Sequence, residues 1–150
     1  MKLHWLAVLL VVGVFLVGCT QKRETPPPVV APAAETAQTA LQNTDKAIAA
    51  MEAALQGTDK EAMMTAAQQL DLAVSGLRGN IGQKSDEAEA IAHKEGKPAP
   101  ARLEAPLGPA MDAASNMMGA VSAATPDVTR AKSLLAQVKS SVEAVRKLAQ

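Results

Sequence analysis

Between Ala37 and Ala149 the apolar and small residues recur in alternating steps of three and four, the spacing that lines one face of an α-helix. One set is Ala37, Leu41, Thr44, Ile48, Met51 and Leu55, and a second is Met63, Ala67, Leu70, Val74, Leu77 and Ile81. After a proline-containing interval come Leu107, Met111, Ala114, Met118 and Val121, followed by Val128, Ala131, Leu135, Val138, Val142, Val145 and Ala149. No β-branched or aromatic alternation suggests strands. Seams of this kind bury themselves against other helices, so the pattern predicts an all-α chain with four packed helices.

Boundary residues divide the helices. Gly57 is expected to close the first, and Thr58 with Glu61 forms a capping box for the second. Thr125-Pro126-Asp127 reads as another start, with threonine as the cap, proline in the first turn and an acid at the positive helix end. Such short connections predict two antiparallel hairpins and an up-down-up-down antiparallel four-helix bundle over 35–150. The interval between the hairpins, 83–105, admits two readings. Ser85-Asp86-Glu87 could cap a short helix that Gly96 ends, with Pro98, Pro100, Pro106 and Pro109 shaping a loop, or the second helix could run on through Gly79 and Gly82. A break or kink at the glycines is favoured, because each costs about 1 kcal/mol in a helix.

Composition narrows the function. The only aromatic residues are Trp5 and Phe15, so the chain beyond them lacks the platforms on which sugars, bases or proline-rich peptides usually stack. Cys19 is the only cysteine, which rules out a disulfide or a thiolate metal cluster within one chain. Acids and bases number 15 each, and loss of Lys2 with a leader leaves 14 bases against 15 acids. Such a balance offers no field of one sign to hold nucleic acid. An alanine-rich core contributes little burial per residue, so homo-oligomer formation is a possible source of added stability.

The first 18 residues have the form of an export signal. The apolar stretch Trp5 to Val17 would reach about 20 Å as a helix, short of the roughly 30 Å of hydrocarbon that a spanning helix must cross. Leu16-Val17-Gly18-Cys19 follows at its end and resembles the lipobox of bacterial lipoproteins. The resemblance implies that the Cys19 sulfur receives a diacylglycerol, that cleavage follows Gly18, and that the freed amine is acylated. Two or three chains suffice for stable membrane anchoring. Thr20 stands after the cysteine where lipoproteins kept at the inner membrane tend to carry aspartate. That resemblance implies an outer-membrane location facing the periplasm. Residues 19–34, with Pro26-Pro27-Pro28 and Pro32, read as a tether that at about 3.1 Å per residue extends some 45 Å.

The layout of two hairpins with a long proline-rich link resembles that of periplasmic four-helix cytochromes of the b type. Their haem ligands, a methionine early in the first helix and a histidine late in the last, have no counterpart: Ala37 and Thr39 stand at one place and Arg146-Lys147-Leu148-Ala149-Gln150 at the other. The alanine-rich murein lipoprotein is similar in its anchor and heptads. That family joins the wall through a terminal lysine, whereas Gln150 ends this sequence, and helix breakers interrupt the pattern here. His93 beside Lys94 and Glu95 reads as a solvated helix end, and no acid pair or glycine-rich phosphate loop suggests catalysis.

The expected function is therefore a non-enzymatic helical module, held at the membrane by its lipid, that binds another envelope protein or spaces an assembly, with no cofactor. The alternative is binding of a soft metal or small apolar ligand. Met51, Met63 and Met118 fall at similar distances from the two turns, and heptad phase turns each inward, which would form a layer of thioethers suited to Cu(I). The bland reading is that methionine fills gaps among alanines. For the anchor, a clickable palmitate analogue is expected to label the wild-type chain in cells and to leave Cys19→Ser unlabelled and unprocessed; label on that variant refutes lipidation at Cys19.

Overall fold

Thr36 starts the first helix with its hydroxyl oxygen, which accepts the Thr39 amide at 3.2 Å. The computed structural model describes residues 36–148; the lipobox, Cys19, the tether and Ala149 lie outside them. Four helices follow in order: α1 Ala37–Ala54, α2 Lys60–Lys94, α3 Leu107–Ser122 and α4 Val128–Leu148. No strand occurs among the described residues, and no helix there is long and apolar enough to cross a membrane.

The caps are aspartates, not the expected threonines. Asp59 accepts the amides of Glu61 at 2.9 Å and Ala62 at 3.3 Å, and Asp127 accepts the Arg130 amide at 2.9 Å. Thr58 thus precedes the cap by one residue and Thr125 by two, and Pro126 lies before the first turn of α4. The reason is electrostatic: an ionised carboxylate binds free amides more strongly than a hydroxyl does and also meets the positive end of the helix dipole. Gly57 lies beyond the α1 C-cap, Leu55.

The expected break at the glycines does not occur, and α2 passes through Gly76, Gly79 and Gly82 without interruption. Leu77 and Ile81, set between those glycines, are completely or almost completely buried. Burial of each is worth about 1.5–3 kcal/mol, which offsets the loss of roughly 1 kcal/mol per glycine. The helix ends where Gly96 was expected to end it. Gly96 takes a φ of 65°, its amide bonds to the His93 carbonyl, and the Lys97 amide reaches back to Ala92 at 2.9 Å. This paired closure needs a left-handed residue, a conformation that glycine adopts at little cost.

Packing follows chain order. α1 lies against α2, α2 against α3 and α3 against α4, while α1 and α4 share the thinnest of the four interfaces. The Lys60 ammonium donates to the Ala123 carbonyl at 2.7 Å, which places the two short turns at the same end of the bundle. The N-terminus of α1 therefore lies at the other end, with the C-terminus of α4. Heptad residues fill the interior, including Met51, Leu70, Val74, Leu107, Val138 and Val145. In α3 the inward row is Leu107, Ala110, Ala114, Met117 and Val121, so Met111 and Met118 stand at its flanks, only partly buried.

At 35 residues α2 is about 52 Å long, roughly twice the length of α1 or α3, and its last turns outrun the bundle. Residues 97–105 run back along this extension. Buried Ser85 holds them: its hydroxyl donates to Glu104 at 2.6 Å and accepts the Leu103 amide at 3.1 Å. Arg102 pairs with Glu104, with Asp86 at 2.7 Å and with Glu89 at 3.3 Å. The Ser85 hydrogen bond, with help from Arg102, lowers the Glu104 carboxyl from 4.5 to about 2, against the opposing effect of partial burial. A folded-state value below the unfolded one contributes stability that is complete above about pH 4.5 and lost as pH falls towards 2. Urea unfolding at pH 7, 4 and 2.5 is expected to show Glu104→Gln less stable than wild type at pH 7, with the gap closing at pH 2.5. A gap that stays constant with pH contradicts this role.

Candidate functional site

The side of the bundle between α1 and α4 carries charges at heptad spacing. Asp45 and Glu52 are seven residues apart on α1, and Lys132, Lys139 and Arg146 repeat at sevens on α4. Because the two helices run antiparallel, these rows meet in register. One nitrogen of Arg146 reaches both oxygens of Asp45 at 2.8 and 2.9 Å, and Lys139 bonds Glu52 at 2.7 Å. Glu143, one turn before Arg146, adds a contact at 3.2 Å. The next acid in the α1 row is Asp59, which is committed to capping α2.

These pairs close the seam weakly. Their side chains are 40–53% exposed, and exposed ion pairs contribute about 0–1 kcal/mol each. Beneath them lies an apolar floor of Ile48, Leu55, Leu135 and Val142. Two open spaces flank the Lys139–Glu52 pair. One, of about 480 Å³, lies over Leu55 and Leu135 beside Gln56 and Lys132, and the other, of about 340 Å³, lies over Ile48 and Val142 beside Glu143. Together they make a groove with Asp45 and Glu52 along α1 and with Lys132, Lys139 and Arg146, interrupted by Glu143, along α4.

Local packing explains why this side stays thin. Thr44 of α1 is fully buried, and its hydroxyl lies 2.9 Å from the Ala40 carbonyl and 3.2 Å from the Ala73 carbonyl of α2. That contact draws α1 towards α2. On the other side, α3 buries four alanines, Ala110, Ala113, Ala114 and Ala120, α4 buries the larger Leu134, Val138 and Val145, and these two helices share the most extensive interface. Each outer helix is thus held to its hairpin partner, and the side left between them is bridged by long polar side chains.

The candidate thioether layer is only partly assembled. Met51 and Met63 are buried in the core, whereas Met118 lies on the flank of α3 and Met117 takes the interior position expected for it. The heptad count was one residue out of phase there, because two adjacent methionines fit the pattern equally well. Met111 lies at the surface with its sulfur 3.1 Å from an Arg78 nitrogen. Among the described residues no three His, Cys, Asp or Glu side chains are grouped to hold a metal ion. Cys19, the lipidation candidate, lies outside the described residues.

The contact between Ser85 and Glu104 has the composition of a nucleophile and a base but is poorly suited to that work. A carboxylate with a pKa of about 2 is too weak a base to take a serine proton, and Ser85 is only 4% exposed. Its geometry serves the returning strap.

Among the described residues, fold and site together define a four-helix bundle that is tight on three sides and open-grooved on the fourth. No protein-family model, curated protein or solved structure matches this chain. If the interior methionines serve as packing, Met51→Ala is expected to lower unfolding free energy by about 2–5 kcal/mol and Met51→Leu by less than about 1.5 kcal/mol in urea titrations. Equal losses from the two substitutions contradict a packing role for the thioether.

Proposed function

We propose that this chain is a cell-envelope lipoprotein, anchored through Cys19 and probing its surroundings with a non-enzymatic helical module that binds another protein. The observation that supports this reading is the α1–α4 side, the thinnest interface of the bundle, where exposed ion pairs and open spaces lie over already buried apolar residues. The start of α1 at Ala37 also suits an anchored module. Thr20 after the lipobox cysteine supports placement at the outer membrane, facing the periplasm.

The test is crosslinking in living cells from photoreactive residues on the bundle surface. A residue at Ala136, on the rim of the groove, is expected to give a discrete protein adduct that weakens when Cys19→Ser removes the anchor. A residue at Asn116, on the exposed face of α3, serves as the comparison. Failure of every surface position tested to yield an adduct would refute an interaction module.

A further inference from the structure

The outer face of α2, opposite the core, carries a protrusion and a hollow two helical turns apart. Leu72 is 72% exposed, the most exposed large apolar side chain among the described residues, and Ala50 and Ala73 beside it are only partly buried. Gly79 lies seven residues further on, within about 20° of Leu72 around the helix. A Cβ at Gly79 or at Gly76 would meet no atom within 4 Å, so the chain's own packing requires glycine at neither place. Each nonetheless weakens the helix. Leu77 and Ile81 let α2 tolerate these residues but give no reason for them. Close approach of another backbone is such a reason.

We infer that α2 pairs with α2 of a second copy of this chain, antiparallel, about a two-fold axis between Ser75 and Gly76. The symmetry sets Leu72 of each copy over Gly79 of the other, and the small residues at the axis let the helices approach. Charge fixes the register. Asp71 and Arg78 share one flank of this face, and the two-fold brings Asp71 of each copy to within about 3 Å, along the helix, of the level of Arg78 of the other. The Asp71 carboxylate has no ion-pair partner among the described residues. Arg78 is exposed, and one of its nitrogens rests 3.1 Å from the Met111 sulfur. Pairing about Leu72 itself would stack the two leucines but set Asp71 against Asp71, and an in-register parallel pair would set every charge against its own kind. Only the antiparallel register centred on Ser75 and Gly76 satisfies the apolar and the charged pairs together. The interface spans about five turns and is smaller than that of a permanent dimer, so association is weak and reversible. This inference goes beyond the interaction-module reading and does not depend on it.

Sedimentation equilibrium of the full chain in density-matched mild detergent is expected to show a reversible monomer–dimer equilibrium. Leu72→Asp is expected to weaken the dimer by about tenfold or more. Gly79→Leu fills the hollow and is expected to weaken it by about tenfold, while raising the thermal unfolding midpoint in dilute solution, because leucine favours helix more than glycine does and meets nothing within the chain. Loss of the dimer in that variant is therefore not loss of the fold. Asp71→Arg and Arg78→Asp are each expected to weaken the dimer by about tenfold, and the two together to restore it. A wild-type chain that stays monomeric up to about 1 mM overturns the proposal. So does a dimer indifferent to Leu72→Asp and Gly79→Leu, or a pair of charge reversals that fails to restore it.

Discussion

Small side chains at the helix interfaces govern this structure. Of 27 buried apolar residues among those described, 11 are alanines, which remove little surface from water individually but permit close approach of backbones. They are unevenly distributed. α3 carries four and α4 carries one, and these two helices share the most extensive interface. α1, with its own alanines and a buried threonine, finds its match on α2. The two hairpins are each well joined, α2 and α3 join them to one another, and the remaining side has neither small-to-large complementarity nor a shared polar anchor within the core. The groove follows from where the alanines are placed.

Periodicity made most of the bundle legible in advance. Every residue of the second heptad set, from Met63 to Ile81, is buried, and so are Ile48, Met51, Val138, Val142 and Val145 in the outer helices. Gly96 could be read as a helix end because the following residues cannot resume a helix. The misplaced details share a cause, which is that local propensity is a small quantity beside tertiary packing. Gly79 and Gly82 were expected to break α2, but Leu77 and Ile81 are anchored on either side of Gly79. Thr58 and Thr125 had plausible capping patterns, yet an aspartate stood within two residues of each and supplied a charge as well as an acceptor. At Met117 and Met118 the alternatives differ by one residue, about 100° of rotation, and only the neighbouring helices decide between them.

The groove was half legible. The sevenfold spacing of Asp45 and Glu52, and of Lys132, Lys139 and Arg146, is plain in the sequence, and charged heptad edges commonly set helix register. What the sequence does not carry is the depth between those edges. That depth depends on how far Thr44 draws α1 towards α2 and how deeply α4 settles on α3, both of which are sums over contacts far apart in the chain. The strap shows the same limit. Ser85 has the sequence setting of a helix-start cap, whereas it lies within a continuous helix and holds Leu103 and Glu104, 18 and 19 residues later.

The separation of partners along the chain also orders the way this bundle must assemble. Each hairpin joins neighbours in sequence, so its loop closes early and at modest entropic cost. The contacts across the groove join residues 87 and 101 positions apart, through side chains that remain wet. They reward the chain only after three helices are already in place. The same region is therefore expected to close last during folding and to open first in the native protein, since exposed polar contacts over thin packing mark the low end of local stability. A bundle built in this order keeps its most adaptable surface where its two outermost helices meet, without loosening the hairpins that define its shape.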